Sequence, residues 1–106
     1  MSFRVRLTRD AAQDLERLFD FIIEREIARD SGGDLDLAQR ALDAVRAGIA
    51  TSQTSPFTCR KAGGNAFLRE LVISFGRSGY LALFEIEDAE NISVVAVRHQ
   101  LEDDYH

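Results

Sequence analysis

The sequence has 106 residues but only one cysteine, Cys59, so a disulfide within the chain is excluded. A chain so poor in cysteine is typical of a reducing compartment. No apolar run approaches the roughly 20 residues that span a bilayer, and the N-terminus lacks the apolar stretch of a signal peptide. We therefore expect a cytoplasmic protein, and the length suits a single domain over residues 1–106.

Positive charge is also scarce, with 13 Lys and Arg residues against 18 Asp and Glu residues and a net charge of −5. Residues 57–80 carry a net positive charge and form a short basic island. Residues 81–106 contain many acidic residues and a single arginine, Arg98. A protein that binds nucleic acid usually presents a basic face, because contacts with phosphates supply much of the affinity. This balance argues against direct binding of nucleic acid.

The first half of the chain carries one strand pattern and two helix patterns. Alternating apolar and polar residues predict a strand over residues 3–7. Apolar residues then recur at helical spacing over residues 9–28 and 34–50, which predicts two amphipathic helices. The short connection between them predicts an antiparallel helical hairpin. Candidate N-cap residues precede both helices: Thr8 for the first, and Asp34 or Asp36 for the second.

The second half of the chain has the two-residue period of strands. It predicts strands over residues 67–75, 80–87 and 91–99, which short turns join into an antiparallel meander. A short strand is also expected near residues 57–61, after Pro56 ends the helical region. The predicted fold class is therefore α+β, with an N-terminal strand, a helical hairpin and a three- to four-stranded antiparallel sheet that the hairpin covers on one face.

Three segments resemble the RelE/ParE toxin superfamily, and the similarity covers the whole chain. They are, in order, LTRDAAQDLERLFDFI (residues 7–22), FLRELVISFGRSGYLALFEI (67–86) and VVAVRHQLEDDYH (94–106). The resemblance implies the toxin of a type II toxin–antitoxin pair. RelE-like members cleave mRNA on the ribosome with the 2′-hydroxyl of the RNA as nucleophile, whereas ParE-like members inhibit DNA gyrase and lack that catalytic set.

The resemblance also implies candidate residues for the nuclease alternative. Cleavage of RNA without a metal needs a base, cations that stabilise the pentacovalent phosphate, and an acid. Four residues suit these roles: Arg69, Arg98, His99 and Tyr105. Equally, Arg69 is interpreted as a snorkelling strand arginine or the ion-pair partner of Asp14, and His99 as a packed residue at a strand end. Because Leu81 stands where RelE-like nucleases commonly carry an arginine, we favour the ParE-like interpretation.

On the ParE-like interpretation the chain catalyses nothing, and we predict no cofactor. His99, Asp103 and His106 lack the spacing of a metal site, so no metal is predicted either. The expected partners are a cognate antitoxin, bound as a helix in a groove or as a strand on a sheet edge, and DNA gyrase as the leading candidate target. The predicted contact residues are Phe3, Val5, Phe19, Arg60, Lys61, Arg69 and Arg98.

Assembly and toxicity are left open by these residues. A toxin with such surfaces suits either a homodimer or a heterotetramer with the antitoxin. A third hypothesis is a paralogue that binds the antitoxin but is not itself toxic. Expression of the chain alone in a bacterium distinguishes this third hypothesis, because only a toxin arrests growth.

Overall fold

A computed structural model describes residues 2–29, 33–76 and 78–100. Within these residues the chain forms two α-helices, five strands and one turn of 3₁₀ helix. In chain order they are β1 (Arg4–Leu7), α1 (Arg9–Ile27), α2 (Leu37–Thr51), the 3₁₀ turn (Pro56–Thr58), β2 (Arg60–Ala62), β3 (Asn65–Phe75), β4 (Ser78–Ile86) and β5 (Asn91–His99).

The strands form one sheet in the order β1-β5-β4-β3-β2. Pairing is antiparallel from β2 through β5, and the predicted α+β fold with its meander is confirmed. The pattern of apolar residues did not predict that β1 pairs with β5 in parallel. A parallel neighbour needs a long crossover, and the two helices together with the rest of the sheet supply it. As a result, β1 lies at one edge of the sheet.

The core lies between the helical hairpin and one face of the sheet. Its largest fully buried apolar side chains are Phe84, Ile92, Val45, Val94 and Val97. Close packing of α2 on β3 depends on a glycine, because a Cβ at Gly48 would lie 2.7 Å from Cγ1 of Ile73. Within the described residues, neither helix is long and apolar enough to span a membrane.

Local hydrogen bonds explain where the two helices begin. Thr8 caps α1 as predicted, since its hydroxyl oxygen accepts the N–H of Ala11 at 3.2 Å. By contrast, α2 begins at Leu37, later than the predicted start at Asp34. Asp36 holds the N-cap position without a capping bond from its side chain. The Asp34 carboxylate instead accepts the N–H of Asp36 at 3.0 Å, which holds these residues in a turn ahead of the helix.

The turn that precedes α2 is fastened to the end of α1 by a buried carboxylate. Glu26 is 1% exposed, its Oε1 accepts the N–H of Asp34 at 3.1 Å, and its Oε2 lies 3.2 Å from Nε of Arg29. Gly33 lies in the same turn, directly before Asp34, and has φ +61°. A Cβ at this position would lie 2.1 Å from the Glu26 carbonyl oxygen. The return of the chain therefore requires glycine at this position.

Candidate functional site

An open groove runs between α1, α2 and β1, and we call it the hairpin groove. Its volume is about 840 Å³. Most of its lining is apolar: Val5, Leu7, Ala12, Leu15, Phe19, Leu42, Ile49 and Ala50. Polar residues complete the lining: Glu16, Asp20, Gln39, Arg46 and Gln53. Two predicted contact residues, Val5 and Phe19, are therefore brought together here, while Phe3 packs against the core nearby.

The two walls of the hairpin groove carry opposite charge. Glu16 and Asp20 lie four residues apart on α1, so their carboxylates stand one turn above each other. Arg46 lies on α2 across the groove. All three side chains are exposed, and none of the three forms an ion pair with a residue that the structure describes. A ligand in the groove therefore meets acids on one wall and a cation on the other.

The floor of the hairpin groove includes an open sheet edge. The N–H of Arg4 donates to the carbonyl oxygen of Glu90, the residue before β5. The N–H of Thr8 donates to the carbonyl oxygen of Val94 in β5. Because alternate residues of a strand direct their backbone groups to opposite sides, the N–H groups at positions 5 and 7 point away from β5. This edge offers backbone hydrogen bonds beside the apolar lining of the groove.

Arg69 has a structural role that the sequence did not predict. It is 8% exposed, and its guanidinium donates to the carbonyl oxygens of Ala66 at 2.7 Å, Phe57 at 3.1 Å and Cys59 at 2.9 Å. The guanidinium carbon also lies 5.2 Å from the centre of the Phe57 ring. Arg69 therefore ties the 3₁₀ turn and β2 to β3, whereas the sequence suggested a snorkelling stem, a phosphate contact or a pair with Asp14.

The anchor at Arg69 also explains a local correction. The sequence predicted a strand over residues 57–61, but the chain first makes the 3₁₀ turn Pro56–Thr58 and forms β2 only at Arg60–Ala62. The carbonyl groups that turn inward to meet Arg69 are not free for a sheet ladder. Backbone hydrogen bonds to a buried side chain therefore replace strand pairing in this segment.

Asp14 is a buried residue whose contact with the sheet the sequence did not predict. Its Oδ2 accepts the N–H of Val97 at 2.9 Å, and its Oδ1 lies 3.5 Å from Arg17. The pairing of β1 with β5 ends at Val94, so β1 does not reach Val97. The Asp14 carboxylate instead accepts the backbone N–H at that position. The signal in the sequence was an acid on the apolar stripe of α1, between Ala11 and Leu18. This carboxylate stabilises the fold by binding the backbone of β5.

Among the described residues, the structure does not bring the nuclease candidate Arg69 together with Arg98 or His99. Arg69 pairs in register with Phe84, a core residue on the face covered by the helices. Arg98 pairs with Leu81, whose neighbours along β4 point into the core, so Arg98 lies on the opposite face. His99 shares the helix-covered face and pairs with Tyr80, about 13 Å along β4 from the Arg69 position at 3.3 Å per residue.

The remaining predicted contact residues lie on the far strand of the sheet. Arg60 is exposed and forms an ion pair with Glu70, and Lys61 is exposed beside it.

Cys59 is partly buried, and burial raises the pKa of its thiol, although Arg69 lowers that pKa to a smaller extent. The thiol is therefore protonated at neutral pH, and Cys59 is interpreted as a packing residue rather than as a nucleophile.

The C-terminal candidates Tyr105, Asp103 and His106 lie outside the described residues. Within the part of the chain that the structure describes, no group of His, Cys, Asp and Glu side chains is placed to hold a metal ion. Arg98 is half-buried, and one of its terminal nitrogens lies 3.5 Å from the carbonyl oxygen of His99.

These features define a class of protein: a small α+β domain of the RelE/ParE type, with a helical hairpin over the sheet and an open groove beside the N-terminal strand. Over residues 5–104 the sequence matches the family described as "ParE toxin of type II toxin-antitoxin system, parDE". The chain therefore belongs to the ParE toxin family and is a ParE-like toxin of a type II toxin–antitoxin system.

One solved structure, titled "Chromosomal ParDE TA system from P. aeruginosa", matches with a TM-score of 0.70 and 17% sequence identity. The match covers 92% of this chain and 96% of that one. At this identity the similarity shows the fold. The comparison with curated proteins found no match.

Proposed function

We propose that residues 1–106 act as one toxin domain, which arrests growth in the cytoplasm by binding a protein target, DNA gyrase, and which a cognate antitoxin neutralises. The observation that carries this proposal is the hairpin groove. A groove with an apolar lining and a volume of about 840 Å³, open to solvent, is typical of a binding site. The charged and hydrogen-bonding groups at the rim of the groove recognise a partner.

The antitoxin contributes a segment that folds as it enters the groove. Its apolar side chains pack against Leu15 and Phe19, and its backbone meets the open edge at Val5 and Leu7. Each buried aliphatic side chain contributes about 1.5–3 kcal/mol. Three of them therefore offset the cost of ordering such a segment, which is about 2–5 kcal/mol. Association of two such complexes through the antitoxin gives a heterotetramer, and a homodimer of the toxin is the alternative.

A non-catalytic mechanism agrees with the placement of the candidate catalytic residues. Arg69 uses its guanidinium on backbone carbonyls, and Arg98 lies on the other face of the sheet. Leu81, which stands opposite Arg98, is 3% exposed and supplies no charge. Transition-state stabilisation requires charged groups that converge on one reacting phosphate. The described residues offer no such convergence, so binding rather than cleavage is the activity that we propose.

Expression of the chain alone and together with its antitoxin tests the proposal. The chain alone is expected to arrest growth, and co-expression of the adjacent antitoxin gene is expected to restore it. Purified toxin is then added to a gyrase supercoiling assay and to a translating-ribosome assay of mRNA cleavage. Inhibition of supercoiling without cleavage supports the proposal. Cleavage that Arg69→Ala abolishes in a folded protein would establish the nuclease alternative, and no growth arrest would establish the non-toxic paralogue.

A further inference from the structure

A second surface lies on α1, on a different face from the hairpin groove. Arg17, Phe21 and Arg25 follow one another at four-residue intervals, so they form one ridge along the helix, which we call the α1 ridge. Phe21 is 60% exposed although it is a large apolar residue. The guanidinium carbon of Arg25 lies 5.8 Å from the centre of the Phe21 ring. Arg25 is thus stacked on an aromatic ring that is exposed to solvent.

A pocket of about 500 Å³ opens beside the α1 ridge, between α1 and the ends of β4 and β5. Leu18, Ile22 and Tyr80 form its apolar floor. His99 lines it as well, with its ring edge-on to Tyr80 at a centroid distance of 5.5 Å. Burial raises the pKa of the Tyr80 hydroxyl, an effect that Arg25 opposes, so the floor of the pocket is uncharged at neutral pH.

Among the residues that the structure describes, the lining of this pocket includes two arginines of the α1 ridge and no acid. Two buried carboxylates lie beside these arginines: Asp14, 3.5 Å from Arg17, and Glu26, 3.7 Å from Arg25. Each of them already accepts a backbone N–H, from Val97 and from Asp34. Arg25 contacts Glu26 through Nε, and its side chain is 50% exposed.

We propose that the α1 ridge is a second docking surface, which binds an acidic segment of a partner protein. An apolar side chain of that segment packs on Phe21 and enters the pocket, and a carboxylate beside it pairs with Arg25. Arginine and aromatic residues beside an apolar pocket are the composition of an interface hot spot. Paired arginine and carboxylate groups add directional, charge-assisted hydrogen bonds.

A protein segment fits this surface better than a nucleic acid does. Two arginines over an apolar floor neutralise few phosphates, and the chain as a whole carries a charge of −5. The ridge shares no residue with the hairpin groove. We therefore assign the ridge to the target of the toxin and the groove to the antitoxin, an assignment that rests on the proposed function.

Variants that separate the two surfaces test this inference. Phe21→Ala and Arg25→Glu are compared with Phe67→Ala and Arg9→Glu, which change an exposed phenylalanine and an exposed arginine elsewhere. The two ridge variants are expected to raise the inducer level needed for growth arrest by about tenfold or more. Their dissociation constants for the purified antitoxin are expected to stay within about twofold of the unmodified chain. The two control variants are expected to change neither quantity.

Further arms of the same experiment identify the chemistry of the partner. Arg25→Lys is expected to retain most of the growth arrest, because it keeps the positive charge that Arg25→Glu reverses. Ridge variants that arrest growth as strongly as the unmodified chain would overturn the inference and leave the proposed function intact. Binding of a short single-stranded RNA that Arg25→Glu abolishes would also overturn it. Failure of the unmodified chain to arrest growth would instead overturn the proposed function itself.

Discussion

Single buried polar residues determine much of the local structure of this toxin, and sequence patterns reveal them poorly. Asp14, Glu26 and Arg69 are each less than a tenth exposed and bond to backbone groups far from them in sequence. A helical pattern marks Asp14 only as an acid on an apolar stripe. In a strand pattern, Arg69 resembles a surface or catalytic cation. Their true partners are backbone atoms, which no side-chain pattern encodes.

Replacement of Arg69 by methionine is expected to unfold the segment that it anchors. Arg69→Met keeps much of the volume but leaves the carbonyl groups of Phe57, Cys59 and Ala66 without their donor. The expected loss in free energy of unfolding is about 3 kcal/mol, because buried polar groups without partners cost about 1–3 kcal/mol each. Urea denaturation followed by circular dichroism measures the change.

Arg60→Met provides the matched control, because Arg60 is an exposed arginine in an ion pair with Glu70. An ion pair whose arginine stays exposed to solvent, as here, contributes about 1 kcal/mol. Equal losses for Arg69→Met and Arg60→Met would contradict the anchoring role. Retained stability of Arg69→Met together with a loss of growth arrest would point instead to direct contact between Arg69 and a partner.

At the scale of the elements, the helical hairpin follows from the sequence but its turn does not. The apolar periods place α1 and α2 to within a few residues, and Thr8 marks the start of α1. The start of α2 is displaced because the bonds of Asp34 to Asp36 and Arg40 compete with helix formation. Such local side-chain bonds to the backbone favour a turn over the first turn of a helix.

Gly33→Ala tests the packing of this turn against the end of α1. A left-handed conformation costs a non-glycine residue about 1 kcal/mol. At Gly33 the new Cβ also meets the Glu26 carbonyl oxygen, which adds roughly 1–3 kcal/mol. Gly63→Ala is the control, since Gly63 has φ +63° and nothing within 4 Å of an added Cβ. Denaturant midpoints compare the two variants, and equal losses would contradict the close contact at Gly33.

The ion pair between Asp34 and Arg40 predicts a pH dependence for the same turn. The hydrogen bond from Arg40, at 2.5 Å, holds the pKa of Asp34 below its ordinary value. Because the pKa is lower in the folded state, the stabilisation is present above the unfolded-state pKa and is lost as the pH falls through the folded-state pKa. Arg40→Gln is expected to raise the pKa of Asp34, measured by NMR titration. An unchanged pKa would show that the pair does not persist in solution.

At the scale of the whole molecule, the sequence predicts the layers and misses the topology that creates the site. The meander, the helical hairpin and the α+β class all follow from the period of apolar residues. The parallel pairing of β1 with β5 does not, because it joins residues almost 90 positions apart. The hairpin groove depends on that pairing, since it holds β1 beside the two helices that form the other walls. Half-buried side chains such as Val5 and Phe19 could be proposed singly, but their convergence could not.

The central claim, that the hairpin groove holds the antitoxin, is tested most directly by placing a bulky charge in the groove. Ala50 and Ala47 are both exposed on α2, but only Ala50 lines the groove. Isothermal titration calorimetry with purified antitoxin compares Ala50→Glu with Ala47→Glu. We expect Ala50→Glu to weaken binding by about tenfold or more, because it fills the groove and adds to the acids on its wall. Ala47→Glu is expected to bind as the unmodified chain does, and equal affinity of the two variants would contradict the claim.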